Sequence, residues 1–302
     1  MTLGALWAGF VLAALLLLGI GPYGLVVPAA GLVLAVTCAH MAWFKGLDIR
    51  WAASTVDKAD LLVVGALFVA VVAFFKVAFG VYGTGQVAGL FVFFGLGMVI
   101  GVVGPLVYVV WVRHRPLASI GIGMHNLRPT LLLAMVFAAA QFSVTLLGYR
   151  LPAAVDWVPL LLMSVTVGLF EAIFFRGFVQ GTLERSIGAA PAVLAAAGLY
   201  GLYHVGYGMG ASDMLFLFGL GVVYTVAYRI TSNVLAIWPL LTPLGGFFSQ
   251  LRAGEMAGQL PWISMLGFAD VLIVLALAIW LTWRHEKRMR ARSGRTRLLA
   301  AS

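Results

Sequence analysis

Glu171 stands in the middle of the apolar stretch VGLFEAIFFRGFVQGTLER, surrounded in sequence by Phe170, Phe174, Phe175 and Phe178. Desolvation opposes ionisation of a carboxylate so placed, unless a cation or hydrogen bonds compensate. A group of this kind suits proton abstraction near neutrality, the work of a general base in a hydrated cavity. The same residue also reads as half of a buried ion pair that fixes helix register. Arg176 is the nearest cation, five residues on. On an α-helix that offset turns it about 140° away from Glu171, poorly placed for a side-on pair. The stretch AAAGLYGLYHVGYG follows, in which Tyr200, His204 and Tyr207 fall at i, i+4 and i+7 and so share one helical face. A histidine between two tyrosines on a Gly- and Ala-rich helix implies a polar stripe approached closely by neighbouring backbones. Taken alone it reads equally as a hydrogen-bonded packing residue. With Glu171 on the preceding helix, the two could activate a water between them for attack on a peptide carbonyl.

The remaining ionisable groups inside apolar runs are Lys76, Asp270 and His40. Lys76 lies near enough to the end of its run to snorkel. Asp270 is expected to be a helix-packing partner, and His40 is expected to be structural. No metal or other cofactor is expected, with zinc the less favoured alternative. There is no His-Glu-x-x-His, the single cysteine is Cys38, and Glu171 with His204 supplies two of the three protein ligands a catalytic zinc needs.

These residues must be positioned by helices in lipid. Of 302 residues, 63% are hydrophobic and 10% charged, with mean hydropathy +1.07. Soluble domains run about half apolar and a quarter charged, so the bilayer must act as solvent for most of this surface. The chain reads as an all-α, polytopic transmembrane bundle of about ten helices. The candidate spans are 3–20, 23–44, 60–82, 86–111, 129–148, 158–182, 189–207, 213–230, 233–251 and 262–283. Gly-Pro at 21–22, Gly-Thr-Gly at 83–85 and Gly-Met-Gly at 208–210 punctuate them. Four parts follow: N-terminal transmembrane helices of unassigned role (1–112), an interfacial connection (113–128), a transmembrane core (129–283) and a basic tail (284–302). The first apolar run has no basic flank before it and is read as a retained helix.

The net charge of +9 writes topology and does not point to nucleic acid. Fifteen of the 19 Lys and Arg fall on one side of the spans; only Arg150 and Arg252 fall on the other, and Lys76 and Arg176 lie inside helices. That asymmetry places both termini in the cytoplasm of a multi-pass protein of the bacterial inner membrane. The tail RHEKRMRARSGRTR is then a surface anchor to anionic headgroups of the lipid bilayer.

The stretch EAIFFRGFVQGTLER, followed by YGLYH, resembles the CAAX-protease and bacteriocin-processing (CPBP) family of intramembrane proteases. That family carries Glu-Glu-x-x-x-Arg, Phe-x-x-x-His and His-x-x-x-Asn (or Asp) on three separate helices. The resemblance spans roughly residues 118–251, with IGIGMHNLRP as its lead-in and Phe-Arg-Gly at 175–177 as its most specific piece. It implies a CPBP-like core in the C-terminal two thirds of the chain. It also implies Glu171 as the residue activating water, Arg176 as an orienting group, and His204 as the second-motif histidine, with Tyr200 in place of the aromatic Phe. Two positions depart from the pattern. The second glutamate is Ala172, and SNVLAIWPLLTPLGGFFSQ has no histidine, its third-motif positions reading Leu241 or Thr242 and Gly245 or Gly246. Thr242, Ser249 or Gln250 could stand in as a donor. The reading that follows is an endopeptidase acting on a membrane-associated peptide or protein. The alternatives are a catalytically silent relative that binds a hydrophobic peptide as an assembly or immunity factor, and a transporter coupling protons through Glu171 and Lys76. No inverted repeat supports the transporter.

Overall fold

The computed structural model describes residues 56–82, 88–134, 157–236 and 262–300. Among these, every regular element is helical, and six helices are long and apolar enough to cross a membrane. The protein is a multi-pass, all-α membrane bundle. We label the helices α1 (Lys58–Tyr82), α2 (Phe91–Val112), α3 (Trp157–Ile187), α4 (Ala189–Tyr207), α5 (Ala211–Thr231) and α6 (Trp262–Ala300). The two expected spans before residue 56, and most of 129–148 and 233–251, lie outside the described residues.

Each start and stop has a local cause. Asp57 caps α1, its Oδ1 accepting from the amides of Ala59 and Asp60 at 3.0 and 3.3 Å, as an N-cap carboxylate should. Gly188, at φ +85°, breaks the chain between α3 and α4 in a conformation that a residue with a Cβ rarely adopts. Helix α6 was expected to stop near 283. It runs on to Ala300, because the basic segment is rich in Arg, with Lys, Glu, Leu and Ala among the rest, all of which propagate a helix readily.

Helix α3 is the axle. Every residue from 168 to 184 is buried, and the helices around it are half-lipid-facing. Helices α4 and α5 pack as an antiparallel pair along one side, while α2 and α6 pack along the other. Thr166 ties α3 to α6, its hydroxyl reaching the carbonyls of Leu162 at 2.8 Å and Phe268 at 3.2 Å. Asp270 was expected between helices but lies on an exposed face of α6, two residues past the Phe268 carbonyl that α3 reaches, and Lys76 is likewise exposed.

The connection after α2 is not a slack loop. Leu117–Ile120 forms a short 3-10 turn, whose first amide donates to Glu286 Oε2 of α6 at 2.9 Å. Asn233, just past α5, donates from Nδ2 to the carbonyls of Gly123 and His125 at 2.9 and 2.8 Å. The amide of Val234 donates to Gly121 at 3.0 Å. These bonds draw the connection beneath α3, where the Ile120 carbonyl lies against the Cα of Gly177.

Buried Asp60 anchors α1 at the same end of the bundle. It accepts from Tyr108 Oη at 2.7 Å, Arg113 Nε at 2.9 Å and Arg115 Nη1 at 2.8 Å, while Arg113 also pairs with Asp57. Asp60→Asn is expected to lower stability by about 1–3 kcal/mol, less than a fully buried pair would because both arginines remain about a quarter exposed to solvent. Thermal unfolding in detergent, at low and at high salt, checks this. A loss that does not shrink at high salt would show that packing, not charge, holds the corner.

Candidate active site

Helix α3 changes winding at the residue that matters. It is α-helical over Trp157–Glu171, π-helical over Ala172–Gln180 and α-helical again over Gly181–Ile187. A π-helix closes i→i+5 bonds, so residues five apart come round to nearly the same face. This corrects the α-helical expectation that Arg176 points well away from Glu171. The widened turn brings both toward α4.

There Glu171, 5% exposed, meets two tyrosines. Tyr203 Oη donates to Oε1 in a short bond, and Tyr200 Oη donates to Oε2 at 3.4 Å. Tyr200 also carries Arg176, whose guanidinium carbon sits 4.4 Å from its ring centroid and 5.5 Å from that of Tyr224 on α5. Glu171 and Arg176 thus grip the hydroxyl end and the ring face of one side chain. They share no hydrogen bond or ion pair among the described residues.

His204 lies where α4 tightens from α-helix to a 3-10 turn. Its Nδ1 is 2.9 Å from the Tyr200 carbonyl. A carbonyl can only accept, so this bond puts the proton on Nδ1 and leaves Nε2 with a free lone pair in the neutral ring. The imidazole is 4.0 Å from the Tyr203 ring and stacks on Tyr207 at 5.3 Å. Among the described residues, Glu171 and His204 are joined through Tyr203 and not by a direct hydrogen bond.

The structure therefore gathers Glu171, Arg176, Tyr200 and His204, and adds Tyr203 and Tyr224, which the sequence reading did not single out. Tyr203 is three residues after Tyr200 and so shares its face. That spacing was a signal available in the sequence. Thr242, Ser249, Gln250 and the third-motif positions lie outside the described residues. Among the described residues, no three His, Cys, Asp or Glu side chains come together.

Two features set the surroundings. Helices α3 and α4 meet at Gly188 beside Arg185, at the end that also holds Arg113, Arg115 and Arg229. Glu171 is sixteen residues from Ile187, roughly 20–25 Å along the helix, so the site lies near the middle of α3. The N-terminal helices wall it there. Phe75 and Phe79 of α1 and Phe94 of α2 lie 5.2, 4.7 and 5.8 Å from the Tyr207 ring.

With this geometry in view, the chain was compared with known proteins. Residues 152–240 match the family model described as type II CAAX prenyl endopeptidase, Rce1-like. This segment is Rce1-like. The match covers under a third of the 302 residues and takes in all of α3, α4 and α5, and therefore Glu171, Arg176, Tyr200, Tyr203, His204 and Tyr224. The comparisons matched no curated protein and no solved structure. The family is one of intramembrane proteases, which supports a peptidase at the level of the family. The Rce1-like segment ends at 240, just before the third-motif positions Leu241 or Thr242 and Gly245 or Gly246.

Proposed function

We propose that the protein is an intramembrane endopeptidase that hydrolyses a membrane-associated peptide or protein, with Glu171 as the general base. The observation that carries this reading is Glu171 itself: a buried carboxylate held by two tyrosine hydroxyls next to a histidine with a free Nε2, inside an Rce1-like segment. Water bound between Glu171 and His204 loses a proton to the carboxylate as its oxygen bonds to the scissile carbonyl carbon. The tetrahedral intermediate collapses, the C–N bond breaks, and the proton held by Glu171 passes to the leaving amine. The products are a carboxylic acid and an amine, which ionise to carboxylate and ammonium in water. Tyr203 holds the carboxylate through its hydroxyl and touches the imidazole with its ring, so one side chain positions both groups. No metal takes part in this scheme.

The basic end of the bundle faces the cytoplasm of the bacterial inner membrane in this reading, and both termini lie there. Trp280 and Trp283 carry Arg284 and Lys287 over their rings at 5.3 and 4.0 Å, as aromatic and basic residues do at a headgroup layer.

A second reading has its own observation. Ala172 stands where the family has a second glutamate, and residues 233–251 contain no histidine. A catalytically silent relative that holds a hydrophobic peptide would show both changes. One experiment separates the two: incubation of reconstituted wild-type, Glu171→Gln and His204→Ala proteins with membrane proteins of the native host. Products that vanish in both variants support the endopeptidase. Folded variants that leave every product unchanged would sink it and favour the silent binder.

A further inference from the structure

We propose that Arg176 is a catalytic residue, the donor that stabilises the oxyanion formed when the scissile carbonyl is attacked. The inference rests on the endopeptidase reading above and assigns a role that reading leaves open.

Amide hydrolysis puts a full negative charge on the carbonyl oxygen, and donors already aimed at that position lower the barrier most where water is excluded. The described site has few donors to offer. The hydroxyls of Tyr200 and Tyr203 are engaged by Glu171, and His204 Nδ1 is engaged by the Tyr200 carbonyl. Arg176 is different. It is 1% exposed and heads the largest fully buried side chains, yet among the described residues neither Nη1 nor Nη2 has a hydrogen-bond partner.

A buried unpartnered donor costs about 1–3 kcal/mol, and a charged one more. Nothing in packing requires that cost here, since the contacts that hold the guanidinium in place come through its face. Tyr200 and Tyr224 cradle it at 4.4 and 5.5 Å, a cation–π arrangement that fixes the plane and leaves the nitrogen edge free. That edge presents two parallel N–H groups, a fork suited to an oxygen anion.

Position agrees with chemistry. The π-helical turn sets Arg176 on the same side of α3 as Glu171, and Tyr200 lies between them, its hydroxyl on the carboxylate and its ring under the guanidinium. A peptide carbonyl laid along Tyr200 has its carbon toward water held at Glu171 and its oxygen toward Nη1 and Nη2. Proton acceptor and oxyanion donor then sit at opposite ends of one C=O bond. Arg176 supplies the positive charge that the histidine-free stretch 233–251 does not carry.

The test uses the full chain in nanodiscs and a peptide whose cleavage depends on Glu171. Its matched phosphinic analogue serves as a tetrahedral anion. Arg176→Gln is expected to lower kcat by about 10²–10³-fold with KM within about threefold. It is also expected to abolish the preference for the phosphinic analogue over the peptide, and Arg176→Lys should restore part of both. Glu171→Gln should slow cleavage by about 10²–10⁴-fold yet keep that preference.

An Arg176→Gln protein with kcat within about threefold of wild type would overturn the inference while leaving the endopeptidase reading intact. A wild-type protein that binds the analogue no better than the peptide would also overturn it. Should Arg176→Gln fail to fold, Arg176→Lys carries the kinetic test. Failure of both to fold would mark the guanidinium as structural and overturn the inference. If no peptide is cleaved in a Glu171-dependent way, the endopeptidase reading itself has failed, and this inference goes with it.

Discussion

Glu171→Gln is expected to slow cleavage by about 10²–10⁴-fold, the range a general base contributes, while the protein remains folded. The substitution keeps the side-chain volume and one carbonyl oxygen able to accept from Tyr203. Tyr200 Oη, now facing an amide group, can accept instead of donate. What disappears is the ability to take and return a proton. Stability should therefore change by less than about 1 kcal/mol, because both hydrogen bonds to the tyrosines have replacements. The two readouts must be taken on one preparation: the cleavage rate in reconstituted membranes and the thermal midpoint in detergent. A large drop in both would mean that Glu171 holds the bundle together, and the loss of rate would then say nothing about chemistry. A preserved midpoint with a lost rate assigns the carboxylate to the reaction.

Gly177→Ala is expected to do the reverse and strike the fold. A Cβ at this position would collide with the backbone carbonyl of Ile120, and the next nearest atoms belong to the same residue's carbonyl carbon and Cβ, at 3.3 and 3.4 Å. A flexible side chain could swing aside, but this carbonyl is part of a connection already fixed to α5 by Asn233 and Val234 and to α6 by Glu286. Overpacking in a tight interior costs about 1–3 kcal/mol, occasionally more, and a fixed backbone neighbour argues for the upper end. Thermal unfolding of Gly177→Ala against wild type measures it. Gly198→Ala is the control, because a Cβ there meets nothing within 4 Å. Equal midpoints for Gly177→Ala and wild type would show that the connection can shift after all.

Much of the bundle was legible in the sequence, since hydropathy and length answer to the bilayer. The expected span 213–230 is observed as Ala211–Thr231, and 60–82 as Lys58–Tyr82. The site was legible in its residue types but not in its geometry. Reading α3 with the α-helical period turned Arg176 away from Glu171, and no composition signal announces the nine π-helical residues Ala172–Gln180 that bring it back. In α4 the i, i+4, i+7 set gave weight to Tyr200, His204 and Tyr207, although the i+3 spacing also offered Tyr203. The helix tightens at His204, so Tyr203, the last α-helical residue, is the one that reaches the carboxylate. Asp270 shows a different limit. Its cost in lipid suggested a partner, but which face of α6 meets α3 is settled by packing and not by α6's own sequence.

Helix α6 is 39 residues long, or about 58 Å at 1.5 Å per residue, nearly twice the roughly 30 Å of bilayer hydrocarbon. It therefore behaves as a mast stepped through the deck. Near the level where its basic side chains begin, it is stayed to the hull twice, by Glu286 at the Leu117 amide and by His285 against the Trp111 ring, 5.2 Å away. Leu117 begins the turn whose last residue, Ile120, bears on Gly177, six positions after Glu171. A sideways load on the outer part of the mast is thus delivered as torque to the helix that carries the carboxylate, and is not absorbed in a slack tether.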